Sequence, residues 1–460
     1  MTSKFLTAGS VLASTFVLTA CGGGQSSTAT SRADAPLEVR ADDKARVVVA
    51  SIDTGINPYH QFYYAGGPQY SDGLIPNSVT PAVLEEFGIG PECQLEVTRT
   101  GDFAADYQAD VDSGLWRQAE VCEFVWFKGT NLLSASFSAG SIPHMPDDDG
   151  DTHGVGVSAA VLNANPEAIV LSVEGMASPD GEAMSFTHPG VDIITTSYGL
   201  PGSLPIPGHV INSYTGVWGN GKLHFGACDN TPALSSVDTT CGPWWSIGIS
   251  GVEETAENEP GESSLGRQPL SGTFPDFVAD FTQTLPYCAL CEDGYRDGVG
   301  GTSFATPRSA GIASKILLDA RRQLGHVGGI IKMADGDTVM AAGNGMNITN
   351  WQIRRALEQA AWIPEMGDQN PGADDALPII PQIGFLQIGW GVLTTNEAAG
   401  VITNTKIALG LEEGEVPAKG LGYCEFQTGI IQLRKVYWDN LNIDSETFMN
   451  APAEDPFIFC

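Results

Sequence analysis

Short runs of β-branched and other apolar residues recur in the first half of the chain and constrain its fold most strongly. The first run, "RVVVASIDTG" at 46–55, is continuous and ends in an Asp-Thr-Gly turn. A strand buried on both faces, as in a parallel sheet, has this continuous pattern. The further runs are "AIVLSV" (168–173), "VDIITTS" (191–197), "KLHFGA" (222–227) and "WSIGISGV" (245–252).

Helical patterns lie between or after these runs. One begins at His153 in "HGVGVSAAVLN", a second follows Ser303, and a third is "WQIRRALEQAA" at 351–361, with its apolar residues on one face. Strands that alternate with helices indicate an α/β domain with a mainly parallel sheet.

Two stretches interrupt the alternation. Residues 59–147 contain several aromatic residues and two cysteines, so we expect a folded insertion there. Residues 253–298 are polar and rich in proline, and form a second predicted insertion. The main domain is predicted over 45–402, with a small C-terminal extension over 403–460.

The N-terminus carries a targeting pattern. In "MTSKFLTAGSVLASTFVLTAC" a lysine precedes a short apolar stretch that ends in Leu-Thr-Ala-Cys. The stretch resembles a bacterial lipoprotein signal peptide over 1–20, which implies cleavage before Cys21 and acylation of that cysteine. An ordinary secretory signal is the alternative. Residues 21–44 are predicted as a flexible tether. The resemblance implies a lipid-anchored protein of the bacterial cell envelope, and Gly22 favours the outer membrane.

Charge and cysteine content limit the kinds of binding partner and the cellular compartment that fit this chain. The formal net charge of −33 argues against a nucleic-acid partner, because a polyanion would be repelled. Of nine cysteines, eight remain after Cys21, an even number that suits an oxidising compartment. Pairing of nearest neighbours would join 93–122, 228–241, 288–291 and 424–460, although sequence does not fix connectivity. A redox or metal half-site is the alternative for 288–291.

Three chemically complementary residues follow predicted strands or open predicted helices. Asp53 ends a strand, His153 opens a helix, and Ser303 lies in "GGTSFATPRSAG". Pro307 is typical of a helix's first turn, so Ser303 is expected at the entrance of a helix, where backbone N–H groups stabilise negative charge. In parallel α/β sheets, active sites lie at the carboxyl ends of the strands. Together these residues supply the three groups that acyl transfer requires.

Several segments resemble the subtilisin (S8-type) family of serine peptidases over roughly residues 45–400. "VVVASIDTGIN", "DTHGVGVSAAV" and "GTSFATPRSAG" are similar to the family's catalytic Asp, His and Ser blocks, and "GWGVLTTNEA" (389–398) to its terminal segment. The resemblance implies a three-layer α/β fold around a mainly parallel sheet, with Asp53, His153 and Ser303 as the triad. The resemblance implies an enzyme that requires no cofactor and acts on protein or peptide substrates.

The resemblance also suggests residues that bind substrate and stabilise the oxyanion. "TTSYG" (195–199) is similar to the substrate-binding strand, which places Ser197, Tyr198 and Gly199 along the peptide groove. The oxyanion asparagine is expected in "FGACDNTP", where Asn230 fits best and Asp229 is a competing assignment.

The chain departs from the family pattern in other places. Gly156 stands where the family usually has a second histidine, a change expected to affect packing more than chemistry. The stretch between Cys21 and the first strand is too short for a folded inhibitory pro-domain, so maturation is expected to differ. The acidic "PDDDGDTHG" before the catalytic histidine is either a solvated turn or a structural calcium site.

The preferred function is a surface-anchored serine endopeptidase. The alternative is a binding or scaffold lipoprotein with the same fold and little catalysis, which the altered oxyanion stretch keeps open. An esterase on another α/β fold is disfavoured, because the residue order is wrong and no G-x-S-x-G surrounds Ser303.

Overall fold

The structure is a computed structural model of the chain. The residues it describes are 45–65, 67–70, 78–138, 143–146, 152–176, 178–198, 207–228, 230, 240–252, 275–334, 336–363 and 388–439.

The strands are short and mostly lie in one central sheet. In chain order they are β1 (Val48–Asp53), β2 (Gln94–Leu95), β3 (Val125–Phe127), β4 (Leu132–Ser136), β5 (Ile169–Glu174), β6 (Ile193–Thr196), β7 (Leu223–Ala227), β8 (Ile247–Val252), β9 (Phe277–Asp280), β10 (Gln283–Pro286), β11 (Tyr295–Val299), β12 (Ile331–Lys332), β13 (Thr338–Val339), β14 (Ala341–Gly343), β15 (Met346–Ile348) and β16 (Val392–Leu393).

Within the described residues the central sheet has ten strands, in the order β16-β9-β8-β7-β6-β1-β5-β4-β3-β2. Neighbouring strands are parallel except for the antiparallel pair β3–β4. Successive side chains of β1 enter opposite layers: Val49 joins one apolar cluster, while Val48 and Ala50 join the other. This burial on both faces is why the strand sequences are continuously apolar.

Helices cover both faces of the sheet. They are α1 (Pro81–Glu86), α2 (Phe103–Ser113), α3 (Leu115–Ala119), α4 (His153–Ala164), α5 (Pro179–Thr187), α6 (Pro207–Tyr214), α7 (Thr302–Leu324), α8 (Asn350–Ala360), α9 (Val401–Ala408) and α10 (Leu421–Asp439). Residues of α4 and α7 fill the larger cluster, and Phe186 of α5 fills the other. The predicted three-layer α/β fold with a mainly parallel sheet is therefore confirmed.

All five predicted strand runs and all three predicted helices are present. Five further strands of the central sheet, β2, β3, β4, β9 and β16, are not among the predicted runs. Strand β4 lies inside the stretch 59–147 and pairs with β5, and β9 lies inside 253–298 and pairs with β8. In the predicted C-terminal extension, Tyr423 and Trp438 of α10 are buried in the larger apolar cluster.

Three of the suggested disulfides form, joining Cys93 to Cys122, Cys228 to Cys241 and Cys288 to Cys291. Cys424 is also disulfide-bonded, and its suggested partner, Cys460, lies outside the described residues.

The predicted signal peptide and tether, Cys21 included, likewise lie outside the described part of the chain. Among the described helices, none is both long enough and apolar enough to cross a membrane.

Candidate active site

Asp53 is the last residue of β1 and lies at the carboxyl edge of the sheet. Its side chain is buried, and Oδ1 accepts a hydrogen bond from the Thr54 N–H at 2.9 Å. The chain then turns at Gly55, whose φ is +113°, and a Cβ there would lie 2.8 Å from the Met145 carbonyl carbon. The turn therefore requires glycine, both for its conformation and for the close approach of the backbone.

His153, the first residue of α4, is hydrogen-bonded to Asp53, with Nδ1 2.8 Å from Oδ1. The imidazole is 28% exposed, whereas the Asp53 side chain is 2% exposed. The Gly154 N–H donates to the Thr54 hydroxyl at 3.1 Å, and a Cβ on Gly154 would lie 2.4 Å from the Gly55 carbonyl oxygen. The start of α4 is thus seated directly on the turn that follows Asp53.

Ser303 lies in the first turn of α7, after Gly301, whose φ is +135°. Its hydroxyl donates to the main-chain carbonyl of Ser197 at 3.0 Å. Hydrogen bonds in unliganded sites of this kind are often loose, so the hydroxyl can turn to another acceptor when a substrate binds.

Pro307 has a different place from the one expected. Helix α7 begins at Thr302, so Pro307 lies in the second turn rather than the first. Proline has no N–H to donate to the carbonyl four residues earlier, which is that of Ser303. The Ser197 hydroxyl donates to that carbonyl instead, at 2.8 Å. Proline therefore leaves an acceptor that links the Ser303 backbone to the predicted substrate-binding strand.

Gly156, where the family pattern has a histidine, leaves space for an aromatic side chain. A Cβ at this position would lie 2.9 Å from Cε1 of Phe304 and 3.2 Å from Cδ2 of Tyr287. The centroid of the Phe304 ring is 5.4 Å from that of His153 and 6.0 Å from that of Tyr287. The residue after Ser303 thus packs against the imidazole, which brings the starts of α4 and α7 together.

Asn230 lies beside the start of α7. Its Oδ1 accepts a hydrogen bond from the Thr302 N–H at 2.8 Å and lies 3.0 Å from the Thr302 hydroxyl oxygen. Because these contacts use the oxygen, they leave the Nδ2 hydrogens to donate elsewhere. The Thr302 hydroxyl also donates to the Cys228 carbonyl. Asp229, the competing assignment, lies outside the described residues.

The predicted substrate-binding residues follow β6. Ser197 contacts Ser303 as described above, and Tyr198 is turned inward, with 8% of its surface exposed. The Tyr198 hydroxyl donates to Glu182 Oε1 at 2.6 Å, and His209 Nδ1 lies 2.8 Å from the same oxygen. Burial by itself would raise the pKa of Glu182, but the bonds to His209 and Tyr198 outweigh it and lower the pKa. Gly199 lies outside the described residues.

The calcium alternative falls on a stretch that the structure leaves undescribed, residues 147–151 of the acidic turn. Among the described residues, no group of three or more His, Cys, Asp or Glu side chains is arranged to hold a metal ion. A structural calcium ion at this turn stays a prediction.

Residues 44–326, more than half of the chain, match the sequence model of the subtilase family, Peptidase_S8. The chain therefore belongs to this family of serine peptidases, hydrolases that act on peptide bonds. No curated protein sequence matches the chain significantly.

Solved structures with a similar fold include the prenylagaramide maturation protease PagA, at 15% identity and a TM-score of 0.42, which covers 80% of this chain and 94% of its own. The PatG macrocyclase, solved in complex with a peptide, has 13% identity and a TM-score of 0.41, with coverages of 81% and 94%. Fervidolysin from Fervidobacterium pennivorans, a keratinolytic enzyme, has 13% identity, a TM-score of 0.39 and coverages of 82% and 43%.

Proposed function

We propose that this protein is a serine endopeptidase that cleaves peptide bonds through Asp53, His153, Ser303 and an acyl-enzyme. The observation that carries the proposal is the 2.8 Å hydrogen bond between His153 Nδ1 and a buried Asp53 carboxylate. The Phe304 ring brings the start of the Ser303 helix against the same imidazole.

Acylation begins with His153 as general base. A carboxylate only accepts hydrogen bonds, so Nδ1 carries the proton that faces Asp53 and Nε2 is free of one. Nε2 takes the Ser303 hydroxyl proton as Oγ attacks the scissile carbonyl, and Asp53 stabilises the resulting imidazolium. The imidazolium then protonates the leaving amine, the C–N bond breaks, and the acyl group remains on Oγ. Water, deprotonated by the same imidazole, hydrolyses the ester and restores Ser303.

The developing oxyanion needs donors that are already in place. The Nδ2 hydrogens of Asn230, the Ser303 N–H and the positive end of the α7 dipole supply them. A substrate in extended conformation would bind along Ser197, Tyr198 and Gly199. The hydrogen bond from the Ser197 hydroxyl to the Ser303 carbonyl keeps this strand in register with the reacting atoms.

A fluorophosphonate probe tests the proposal, because it reacts covalently with an activated serine. The purified, detergent-solubilised full chain is incubated with the probe, and the labelled peptide is mapped by mass spectrometry. We expect a label on Ser303 that is lost in Ser303→Ala. The matched control is Ser309→Ala in the same helix, where the hydroxyl bonds back to the Ala305 carbonyl at 2.9 Å. An unlabelled wild-type chain would favour the scaffold alternative.

We further propose that acylated Cys21 anchors the enzyme at the bacterial cell envelope, in the outer membrane of a Gram-negative host. The lipobox-like stretch and the following Gly22 support this placement. Cys21→Ser removes the thiol that acylation needs, so the variant should leave the membrane fraction or accumulate as an unprocessed precursor. Fractionation with immunoblotting measures this, and processed variant protein retained in the membrane would contradict the anchor.

A further inference from the structure

Helix α10 places one buried guanidinium against three consecutive main-chain carbonyls. Arg434 donates to the carbonyls of Cys241 at 2.9 Å, Gly242 at 3.1 Å and Pro243 at 2.8 Å. Its remaining nitrogen donates to Asp276 Oδ1 at 2.7 Å, and its side chain is 9% exposed. The helix lies beyond residues 44–326, so the family pattern does not account for this contact.

The carbonyls that Arg434 binds belong to residues 240–243, here called the 240–243 segment. Three carbonyl dipoles that converge on one point repel each other unless a cation or several donors lie between them. The guanidinium meets this need because its donors form a rigid planar fork. Without it, the Cys241 and Gly242 carbonyls would lose the guanidinium donor, whereas the Pro243 carbonyl would keep the donors of Ser246.

The same segment holds the predicted substrate-binding strand. The Thr240 hydroxyl lies 3.1 Å from the Tyr198 carbonyl and 2.9 Å from the Ala227 carbonyl, so it bridges the two strand ends. A Cβ on Gly226 would lie 2.1 Å from the Thr240 carbonyl oxygen, so the segment is seated directly on β7. A shift of the segment would therefore move the backbone of Tyr198.

The segment also reaches the oxyanion side of the site. Cys241 is disulfide-bonded to Cys228, and the Cys228 carbonyl accepts the Thr302 hydroxyl. Thr302 in turn donates to Asn230 and immediately precedes Ser303. Two separate paths thus lead from the 240–243 segment to the site, one through Thr240 and one through the disulfide.

We propose that Arg434 is a positioning residue for peptide hydrolysis. It anchors the 240–243 segment and thereby fixes the predicted substrate-binding strand and the position of Asn230. The inference rests on the proposed function of the site. Arg434 touches neither substrate nor reacting atoms. Its effect comes from geometry, since small misplacements of catalytic groups lower rates steeply.

The test compares two substitutions of Arg434 with one matched control. Arg434→Met keeps the aliphatic bulk and removes every donor, whereas Arg434→Lys keeps the charge near Asp276 and loses the fork. Lys435→Met removes the neighbouring cation, which lies 4.2 Å from the Trp244 ring centroid. Peptide hydrolysis is measured well below each melting temperature, with folding checked by circular dichroism.

We expect Arg434→Met to lower kcat/KM by roughly 10- to 100-fold, with a lower kcat as well as a higher KM. Arg434→Lys should fall between it and the wild type, and Lys435→Met should match the wild type. If folded Arg434→Met and Arg434→Lys keep wild-type kcat and KM and lose only thermal stability, the proposal is overturned. Should Arg434→Met fail to fold, Arg434→Lys decides alone by the same criterion.

A second measurement does not depend on activity. The rate at which a phosphine reductant opens Cys228–Cys241 is compared with the rate for Cys93–Cys122 in the same molecule. A released 240–243 segment should speed reduction of the first disulfide only, whereas equal rates in variant and wild type would contradict the anchoring role of Arg434.

A wild-type chain that neither hydrolyses peptide nor takes up the fluorophosphonate label refutes the proposed function instead. The reduction rates would still show whether Arg434 anchors the 240–243 segment.

Discussion

The carboxyl and amino ends of the central parallel strands, here called the carboxyl and amino edges of the sheet, each contain a buried aspartate paired with a nitrogen-containing side chain. The two pairs differ in how many of their hydrogen-bonding atoms are bonded. At the carboxyl edge, Asp53 bonds His153 through Oδ1, and among the described residues its buried Oδ2 has no hydrogen-bond partner. At the amino edge, both oxygens of Asp192 bond Arg321, at 2.7 and 2.8 Å. Asp192 Oδ2 also accepts the Val48 N–H at 2.9 Å.

One helix serves both edges. Helix α7 carries Ser303 in its first turn and Arg321 in its last, where the guanidinium also donates to the carbonyls of Arg46, Gly329 and Met340. Burial by itself would raise the pKa of Asp192, but Arg321 outweighs it and lowers the pKa. The fully bonded Asp192–Arg321 pair stabilises the fold, whereas the part-exposed imidazole of the Asp53–His153 pair suits the proton transfer proposed above. Mutations at the two edges should therefore separate activity from stability.

The largest effect is expected at Ser303. If the triad acts as a unit, Ser303→Ala lowers kcat by about 10⁶-fold, roughly 8 kcal/mol of barrier, with little change in unfolding free energy. His153→Ala should be nearly as severe, and the double variant little worse than either single variant. Steady-state peptide hydrolysis with denaturant unfolding measures both quantities. Multiplicative losses in the double variant would contradict a triad.

Arg321→Met should show the opposite pattern. The substitution leaves Asp192 as an unpaired buried charge, which typically costs about 3–5 kcal/mol of unfolding free energy. The folded fraction should still take up the fluorophosphonate label at the wild-type rate, because the Ser303 end of α7 is unchanged. Lys315→Met, at an exposed position of the same helix, is the control and should change stability by no more than about 0.5 kcal/mol. Selective loss of labelling in folded Arg321→Met would break the separation of the two edges.

Asn230→Ala tests which residue at the carboxyl edge donates a hydrogen bond to the oxyanion. Loss of the amide donor should lower kcat by about 10²–10³-fold, which corresponds to about 2.7–4 kcal/mol, with KM little changed. The control is Asp229→Ala, which should cost much less at neutral pH, because an ionised carboxylate cannot donate to an oxyanion. A larger loss in Asp229→Ala, with activity confined to acid pH, would transfer the donor role to Asp229.

Much of this could be predicted from sequence because it is encoded locally. Continuous apolar runs specify buried parallel strands, and the glycines beside Asp53 and His153 specify close backbone contacts. Strand β4 was missed because "LLSAS" is short and partly polar. Strand β9 was missed because "FVAD" follows a long polar stretch.

Contacts between residues far apart in the chain have no comparable pattern in the sequence. Arg434 binds carbonyls almost two hundred residues away, and main-chain acceptors have no sequence identity to recognise. Glu182 is an ordinary helix residue in the sequence, and only the fold shows that its carboxylate supports Tyr198. Nothing in the sequence indicates that Phe304 occupies the space that a side chain at Gly156 would fill.

The smallest effect concerns pH and His144, which supports the turn after Asp53 and has no part in the proposed chemistry. His144 is buried, its carbonyl accepts the Ile56 N–H at 2.9 Å, and burial lowers its pKa to about 4 from an ordinary 6.5. Between these values the unfolded chain binds the proton and the folded chain does not, so unfolding free energy falls as pH drops from 6.5 to about 4. His60 and His188 also have pKa values lowered to about 4, chiefly by burial, so they add to the same acid sensitivity.

His144→Asn should reduce this pH dependence by up to about 1.4 kcal/mol per pH unit, the contribution of one proton. Asparagine suits the position because φ there is +74°, a conformation that it tolerates better than most residues. Urea unfolding at several pH values between 4 and 7 measures the slope. Ser134→Ala removes the hydroxyl 3.1 Å from the His144 Nδ1 but keeps the titrating group, so it should lower stability and leave the slope unchanged. An unchanged slope in His144→Asn would mean that the imidazole takes up protons equally in both states, and that acid sensitivity at this edge arises elsewhere.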